Sequence, residues 1–137
     1  MAVDTAMLES GILKMQILLI EDSPLLRRLL TESLVEIEGV QVCGYAETEV
    51  QALEQLEDKI VDLAIVDIEL SQGSGVGVLR ALQKDPERYG YPKKVVFTNY
   101  SHSAMRQRCQ ELGIDAFFDK SLEMDDLVAY IQTKLKS

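Results

Sequence analysis

Five short runs rich in aliphatic and β-branched residues, at 16–20, 40–45, 62–66, 94–98 and 115–118, alternate along the chain with longer segments of helical period. Strands that return in the same direction need a crossover, and a helix both makes that crossover and covers a face of the sheet. The alternation therefore predicts an α/β fold: a doubly wound, five-stranded parallel sheet between two helical layers.

The helical segments carry their own punctuation. Leu25, Leu26, Leu29, Leu30, Leu34 and Ile37 recur at helical spacing behind Ser23-Pro24, where the serine suits a cap and the proline the first helical position. A second helix is expected over 47–58 with Val50, Leu53 and Leu56 inward. A third starts near Gly75, buries Val78, Leu79 and Leu82, and stops by Asp85 ahead of Pro86. A fourth, over 103–112, shows Met105, Cys109 and Leu112 on one face, with Gly113 as its C-terminal cap. The fifth covers 124–135 with Leu127, Val128, Ile131 and Leu135 inward. The stretch 85–92, with two prolines and Gly90, reads as a surface loop. Residues 1–15 form a leader whose Met7, Leu8, Ile12 and Leu13 suit a short docking helix or an unstructured lead-in; the domain spans 16–137.

A chain of 137 residues that is 47% hydrophobic fits one compact domain. Its 14 basic and 23 acidic residues leave a net charge of −9, which argues against a surface that holds nucleic acid through backbone phosphates. Cys43 and Cys109 lack the spacing of a zinc site or a disulfide framework and read as small hydrophobes in a reducing compartment. The acidic N-terminus is unlike a signal peptide, and no apolar run reaches the roughly 20 residues of a membrane span. The expectation is a soluble cytoplasmic protein.

Chemistry collects at the strand ends. In open α/β sheets ligands bind at the carboxyl edge, and there the predicted strands deliver Glu21-Asp22, Asp67, Thr98 and Lys120. Crowded carboxylates repel unless a cation balances them, and hard oxygen ligands suit Mg²⁺. The Thr98 hydroxyl and Lys120 ammonium are suited to the oxygens of a phosphoryl group on Asp67, which as an ionised carboxylate needs no base to act as a nucleophile.

These motifs, Ile-Leu-Leu-Ile-Glu21-Asp22-Ser-Pro, Leu-Ala-Ile-Val-Asp67, Gly75 eight residues later, Val-Val-Phe-Thr98 and Phe-Phe-Asp-Lys120, closely resemble the receiver domain of two-component response regulators. The resemblance covers residues 16 to 135. It implies a CheY-like, flavodoxin-like topology with strand order 2-1-3-4-5 and Asp67 as acceptor of a phosphoryl group from a histidine kinase or phosphotransfer protein. It also implies Mg²⁺ held by Asp22, Asp67 and the backbone carbonyl of Glu69, with Glu21 assisting. Thr98 and Phe117 match the switch pair that reshapes the face of the fourth helix, fifth strand and fifth helix toward a downstream protein.

The chain departs from that pattern in four places, one being Phe117, which lacks the hydroxyl of the tyrosine often found there and must be held inward by packing alone. Ser121 replaces the proline that commonly follows the lysine, so the peptide before it is expected to be trans. Asn99 is larger than the usual residue after the threonine and is expected to restrict access to the phosphorylation pocket. Glu69 places a further carboxylate at the rim, as a solvated loop acid or as a tuner of phosphoryl lifetime. His102, the single histidine, reads as a surface or capping residue, and Arg27, Arg28, Arg106 and Arg108 read as solvated helix faces, with docking of a kinase or downstream partner as the alternative.

The leading function is a phosphoacceptor switch acting by protein contact, its only catalysis being self-phosphorylation and self-dephosphorylation. A phosphorylation-independent scaffold and the receiver part of a longer regulator are the alternatives, with the Met1 leader favouring a stand-alone protein. A flavin protein of similar fold is disfavoured, because the first strand leads into Glu-Asp-Ser-Pro instead of a hydroxyl- and glycine-rich phosphate loop. Nothing in the pattern specifies an oligomeric state.

Overall fold

The computed structural model describes residues 13–136. Its elements in chain order are β1 (Met15–Ile20), α1 (Pro24–Val35), β2 (Val40–Ala46), α2 (Glu49–Asp58), β3 (Leu63–Val66), α3 (Gly75–Lys84), β4 (Lys93–Thr98), α4 (Ser103–Glu111), β5 (Ala116–Asp119) and α5 (Met124–Leu135). All strand pairs are parallel and the order is β2-β1-β3-β4-β5, as expected for a CheY-like sheet. The chain-order reversal beside β1 puts a topological switch point between β1 and β3.

The pleat sorts side chains into two cores. Ile17, Leu19, Leu63, Ile65, Val95 and Phe97 pack with Leu30 and Leu34 of α1 and Leu127 and Ile131 of α5. Leu18, Ile20, Ala64, Val66 and Val96 pack on the opposite face with Ala52 and Leu56 of α2, Val78, Leu79 and Leu82 of α3, and Cys109 of α4. The three central strands are thus buried on both sides, which is why they read as unbroken apolar runs.

Helix starts follow the cap signals. Ser23 Oγ accepts from the Leu26 amide at 3.2 Å with Pro24 at the first helical position, and Thr48, Ser74 and His102 cap the next three helices. His102 thus has the capping role expected of it, through Nδ1 and the Met105 amide at 3.2 Å. Gly113 takes a φ of 77° where α4 ends. Every peptide among the described residues is trans, including that before Ser121.

Some expectations need correction. The second helix begins at Glu49, two residues late, because Thr48 takes the cap. Val50, Leu25 and Leu29 are exposed: the buried stripes run through Ala52 and Leu56 and through Leu30 and Leu34, one helical step away. The 85–92 loop holds a turn of 3₁₀-helix at Glu87–Tyr89, with Tyr89 driven into the core. The leader's Met7, Leu8 and Ile12 lie outside the described residues.

At the sheet's edge, the β1–β2 register slips between Ile17 and Leu18, leaving Cys43 as an extra residue in β2. The bulge reverses the pleat. Val40 and Val42 face the α1 and α5 layer, whereas Ala46 faces α2 and α3 and Tyr45 returns to the α1 side. Along the outer edge, Lys59 Nζ donates to the Cys43 carbonyl at 3.0 Å and Gln55 Nε2 to the Tyr45 carbonyl at 2.5 Å. Gly44 makes room for both, since a Cβ there would lie 2.6 Å from Gln55 Oε1 and 2.8 Å from Lys59 Nζ. Among the described residues, no helix is long and apolar enough to cross a membrane.

Candidate functional site

Register brings the candidate residues together. Ile20 pairs with Val66, so Glu21 and Asp67, one residue beyond each, leave adjacent strands side by side, and the Asp67 amide donates to the Ile20 carbonyl at 2.9 Å. Thr98 pairs with Asp119 across β4 and β5, and the Lys120 amide donates to the Thr98 carbonyl at 3.1 Å. Four chain segments thereby converge on one point at the carboxyl edge.

Lys120 Nζ bridges two carboxylates there, 2.5 Å from Glu21 Oε1 and 2.7 Å from Asp67 Oδ2. Glu21 and Asp67 are only 3% and 4% exposed. Burial pushes the Glu21 carboxyl above its ordinary value, against the Lys120 ammonium and the Ser23 amide, which favour its charged form. Burial alone would lower Lys120, but its hydrogen bonds to Asp67 and Glu21 outweigh that and raise it. The ammonium therefore offsets one of the two negative charges that would otherwise sit uncompensated in a low-dielectric site.

Half-buried Asp22 completes an acidic cluster in which Glu21, Asp22 and Asp67 each present an oxygen, all within 4.8 Å of one another. Hard oxygen donors with no nitrogen or sulfur competitor fit Mg²⁺, which takes one or two carboxylates and keeps several waters. The Glu69 amide donates to Asp67 Oδ1 at 3.2 Å, curling the loop after β3 back over the carboxylate. Gly75 permits this curl: a Cβ there would overlap the Asp67 carbonyl oxygen, backbone against backbone.

Thr98 is fully buried at the end of β4, and its Oγ1 accepts from the Tyr100 amide at 3.2 Å. Phe117 is half-buried, packs against the core and lies under Arg106, whose guanidinium carbon is 4.5 Å from the ring centroid. Glu69, two residues after Asp67, and Asn99, directly after Thr98, are both exposed.

Ser121 does what proline cannot. Asp119 Oδ1 accepts from the Ser121 amide at 2.7 Å and from its hydroxyl at 2.5 Å, a side-chain turn that fixes the backbone around Lys120. The Ser101 hydroxyl first, and then these two Ser121 bonds, hold the Asp119 carboxyl down to about 2. Sequence reasoning missed this turn, although Asp-Lys-Ser carries its composition.

It also misplaced two arginines. Arg27 is not solvated: its side chain is 12% exposed and contacts Glu21, Tyr45 and Glu47. Arg106 donates to the Ser101 carbonyl at 2.9 Å and pairs with Glu123 at 3.4 Å besides covering Phe117. Cys43 and Cys109 are free thiols, half-buried and buried, as expected.

Comparison with known proteins gives the same assignment. The family model described as the response regulator receiver domain matches residues 17–132. The chain is 29% identical over 114 residues to the virulence-factor regulator BvgA of Bordetella pertussis, covering 82% of this chain and 52% of that protein. It is 32% identical over 108 residues to protein-glutamate methylesterase/protein-glutamine glutaminase 2 of Vibrio vulnificus, covering 78% and 30%. The chain therefore spans about half or less of these relatives' length. Among solved structures, the CheY-like receiver domain protein of Methanospirillum hungatei superposes with a TM-score of 0.75 at 28% identity, over 90% of this chain and 94% of that one. A LuxR-family response regulator of Aurantimonas shares the fold with a TM-score of 0.80 at 22% identity, over 90% and 86%. The sheet order, the acidic cluster bridged by Lys120 and the family match over 17–132 lead to one conclusion: the chain belongs to the response regulator receiver domain family.

Proposed function

We propose that this receiver is a phosphoacceptor switch in which Asp67 takes the phosphoryl group. The observation that carries the reading is the Lys120 bridge between Asp67 and Glu21, which gathers a nucleophile, a cation and an acidic cluster at one strand edge. An Asp67 carboxylate oxygen attacks phosphorus, an acyl phosphate bond forms, and the P–N bond to the donor's histidine breaks as the imidazole leaves. Lys120 then pairs with a phosphoryl oxygen, and the Thr98 hydroxyl donates to another. Glu21, Asp22, Asp67 and the backbone carbonyl of Glu69 would hold Mg²⁺, which when bound offsets negative charge on the transferring group.

The donor is a sensor histidine kinase or phosphotransfer protein in the cytoplasm, and the domain proper spans 16–137 behind its leader. The readout is a downstream protein, met by the α4, β5 and α5 face. There Phe117 turns inward as Thr98 moves toward the phosphoryl group, so that phosphorylation shifts an existing two-state equilibrium. Glu69 and Asn99, at the rim, tune how long the phosphoryl group persists. Transcription regulation and methylesterase activity belong by name to the longer relatives and are not transferred to this chain.

The test is labelling with acetyl phosphate and with a cognate kinase in the presence of Mg²⁺, read by intact mass. A single phosphoryl adduct is expected, lost in Asp67→Asn. Failure of both donors to label, or an adduct that survives Asp67→Asn, removes the proposal and favours a phosphorylation-independent scaffold.

A further inference from the structure

Arg27 stands outside the phosphoryl chemistry, yet its side chain is largely buried against the turn that carries Glu21. Its NH1 donates to the Glu21 backbone carbonyl at 3.0 Å, its NH2 pairs with Glu47 Oε1 at 3.1 Å, and its guanidinium carbon lies 4.1 Å above the Tyr45 ring. The Cys43 bulge makes the last contact possible, because without the extra residue Tyr45 would face α2 instead of α1.

Glu47 carries the connection onward. Its carbonyl accepts from the Ser71 amide at 3.2 Å and the Ser71 hydroxyl at 3.0 Å. Two residues later the Glu49 amide donates to the Gln72 carbonyl at 3.1 Å, and Glu49 Oε1 accepts from the Ser74 amide at 3.0 Å. The loop from Glu69 to Ser74 is therefore fastened to the loop after β2, which Arg27 in turn fastens to the turn carrying Glu21 and Asp22.

We propose that Arg27, acting through Glu47, is a positioning residue that sets the separation of the two halves of the cation site, Glu21-Asp22 on one side and Asp67 with the Glu69 carbonyl on the other. The inference rests on the reading of that site as a Mg²⁺ site given above. A guanidinium suits the task because its planar fork donates in two directions while its face stacks on a ring; an ammonium keeps the charge but not that geometry.

Isothermal titration calorimetry of Mg²⁺ with the full chain tests it, using wild type, Arg27→Lys, Glu47→Ala and the double variant, with circular dichroism melting of each. Both single variants are expected to bind Mg²⁺ about tenfold more weakly, as when the supporting partner of a metal ligand is lost. The double variant is expected to bind no worse than Arg27→Lys alone, because both changes cut one link. Should Arg27→Lys fail to fold, Glu47→Ala, at an exposed carboxylate, carries the test alone. Wild-type affinity in Glu47→Ala or in a folded Arg27→Lys, or losses that simply add in the double variant, overturns the proposal. No Mg²⁺ binding by wild type overturns instead the reading of the site on which it rests.

Discussion

Replacing Lys120 with methionine keeps the apolar stem and removes the ammonium, which isolates the charge that balances the acidic pair. The ammonium sits 2.5 Å from Glu21 and 2.7 Å from Asp67, both more than nine-tenths buried. At an effective dielectric of about 20, each contact corresponds to roughly 6 kcal/mol of Coulomb attraction. Withdrawing the ammonium from water costs several kcal/mol and cancels much of that, and protonation of Glu21, already favoured by burial, limits the damage to the variant. The expected net loss is about 3 kcal/mol, in the range for breaking a buried pair by removing one partner. Urea unfolding followed by circular dichroism, in chelator at neutral pH, measures it. Millimolar Mg²⁺ should then stabilise the variant more than wild type, because the cluster binds the metal without a competing ammonium; a free ion concentration about a hundredfold over Kd returns about 2.7 kcal/mol. A variant as stable as wild type in chelator, or equal stabilisation of both proteins by Mg²⁺, would falsify the idea that Lys120 is the resident countercharge.

Gly75→Ala forces a methyl group onto the Asp67 carbonyl, which backbone cannot yield cheaply, so a loss of about 3 kcal/mol is expected in the same unfolding assay; a shift under roughly 0.5 kcal/mol refutes the contact. Asp119, held down to about 2, contributes stability that is fully present above the ordinary carboxylate range and lost as the folded-state group protonates. The stability gap between wild type and Asp119→Asn should thus close as pH falls from roughly 5 to 2, and a gap independent of pH contradicts the assigned turn. Asn99→Ala should speed loss of the phosphoryl group by opening the rim, measured as decay of the intact-mass adduct; an unchanged rate removes Asn99 from the tuning role.

Residues whose placement follows from strand order were legible in the chain. Once the apolar runs are parallel strands, Asp67, Glu21, Thr98 and Lys120 fall at one carboxyl edge, since each ends or just follows a strand. Several misread features depend on contacts between segments distant in sequence. Arg27 sits on a helix between Leu26 and Leu30 and looks solvated until β2, by a bulge no local pattern announces, brings Tyr45 and Glu47 against it. Leu25, Leu29 and Val50 fit a helical period as well as their buried neighbours do, and only the direction from which the sheet approaches decides between them.

The open side of β2 bears on how the protein behaves in a concentrated solution. An unpaired strand edge is a template on which another chain can add a strand, and the carbonyls of Cys43 and Tyr45 would be its first acceptors. Here both are occupied, by the Lys59 ammonium just after α2 and the Gln55 amide within it, so an incoming strand must displace these donors to bond at either carbonyl. That barrier exists because residue 44 has no side chain to push those donors aside. The glycine thus bears on how exposed this strand edge is to other chains, as well as on the packing of α2 against β2.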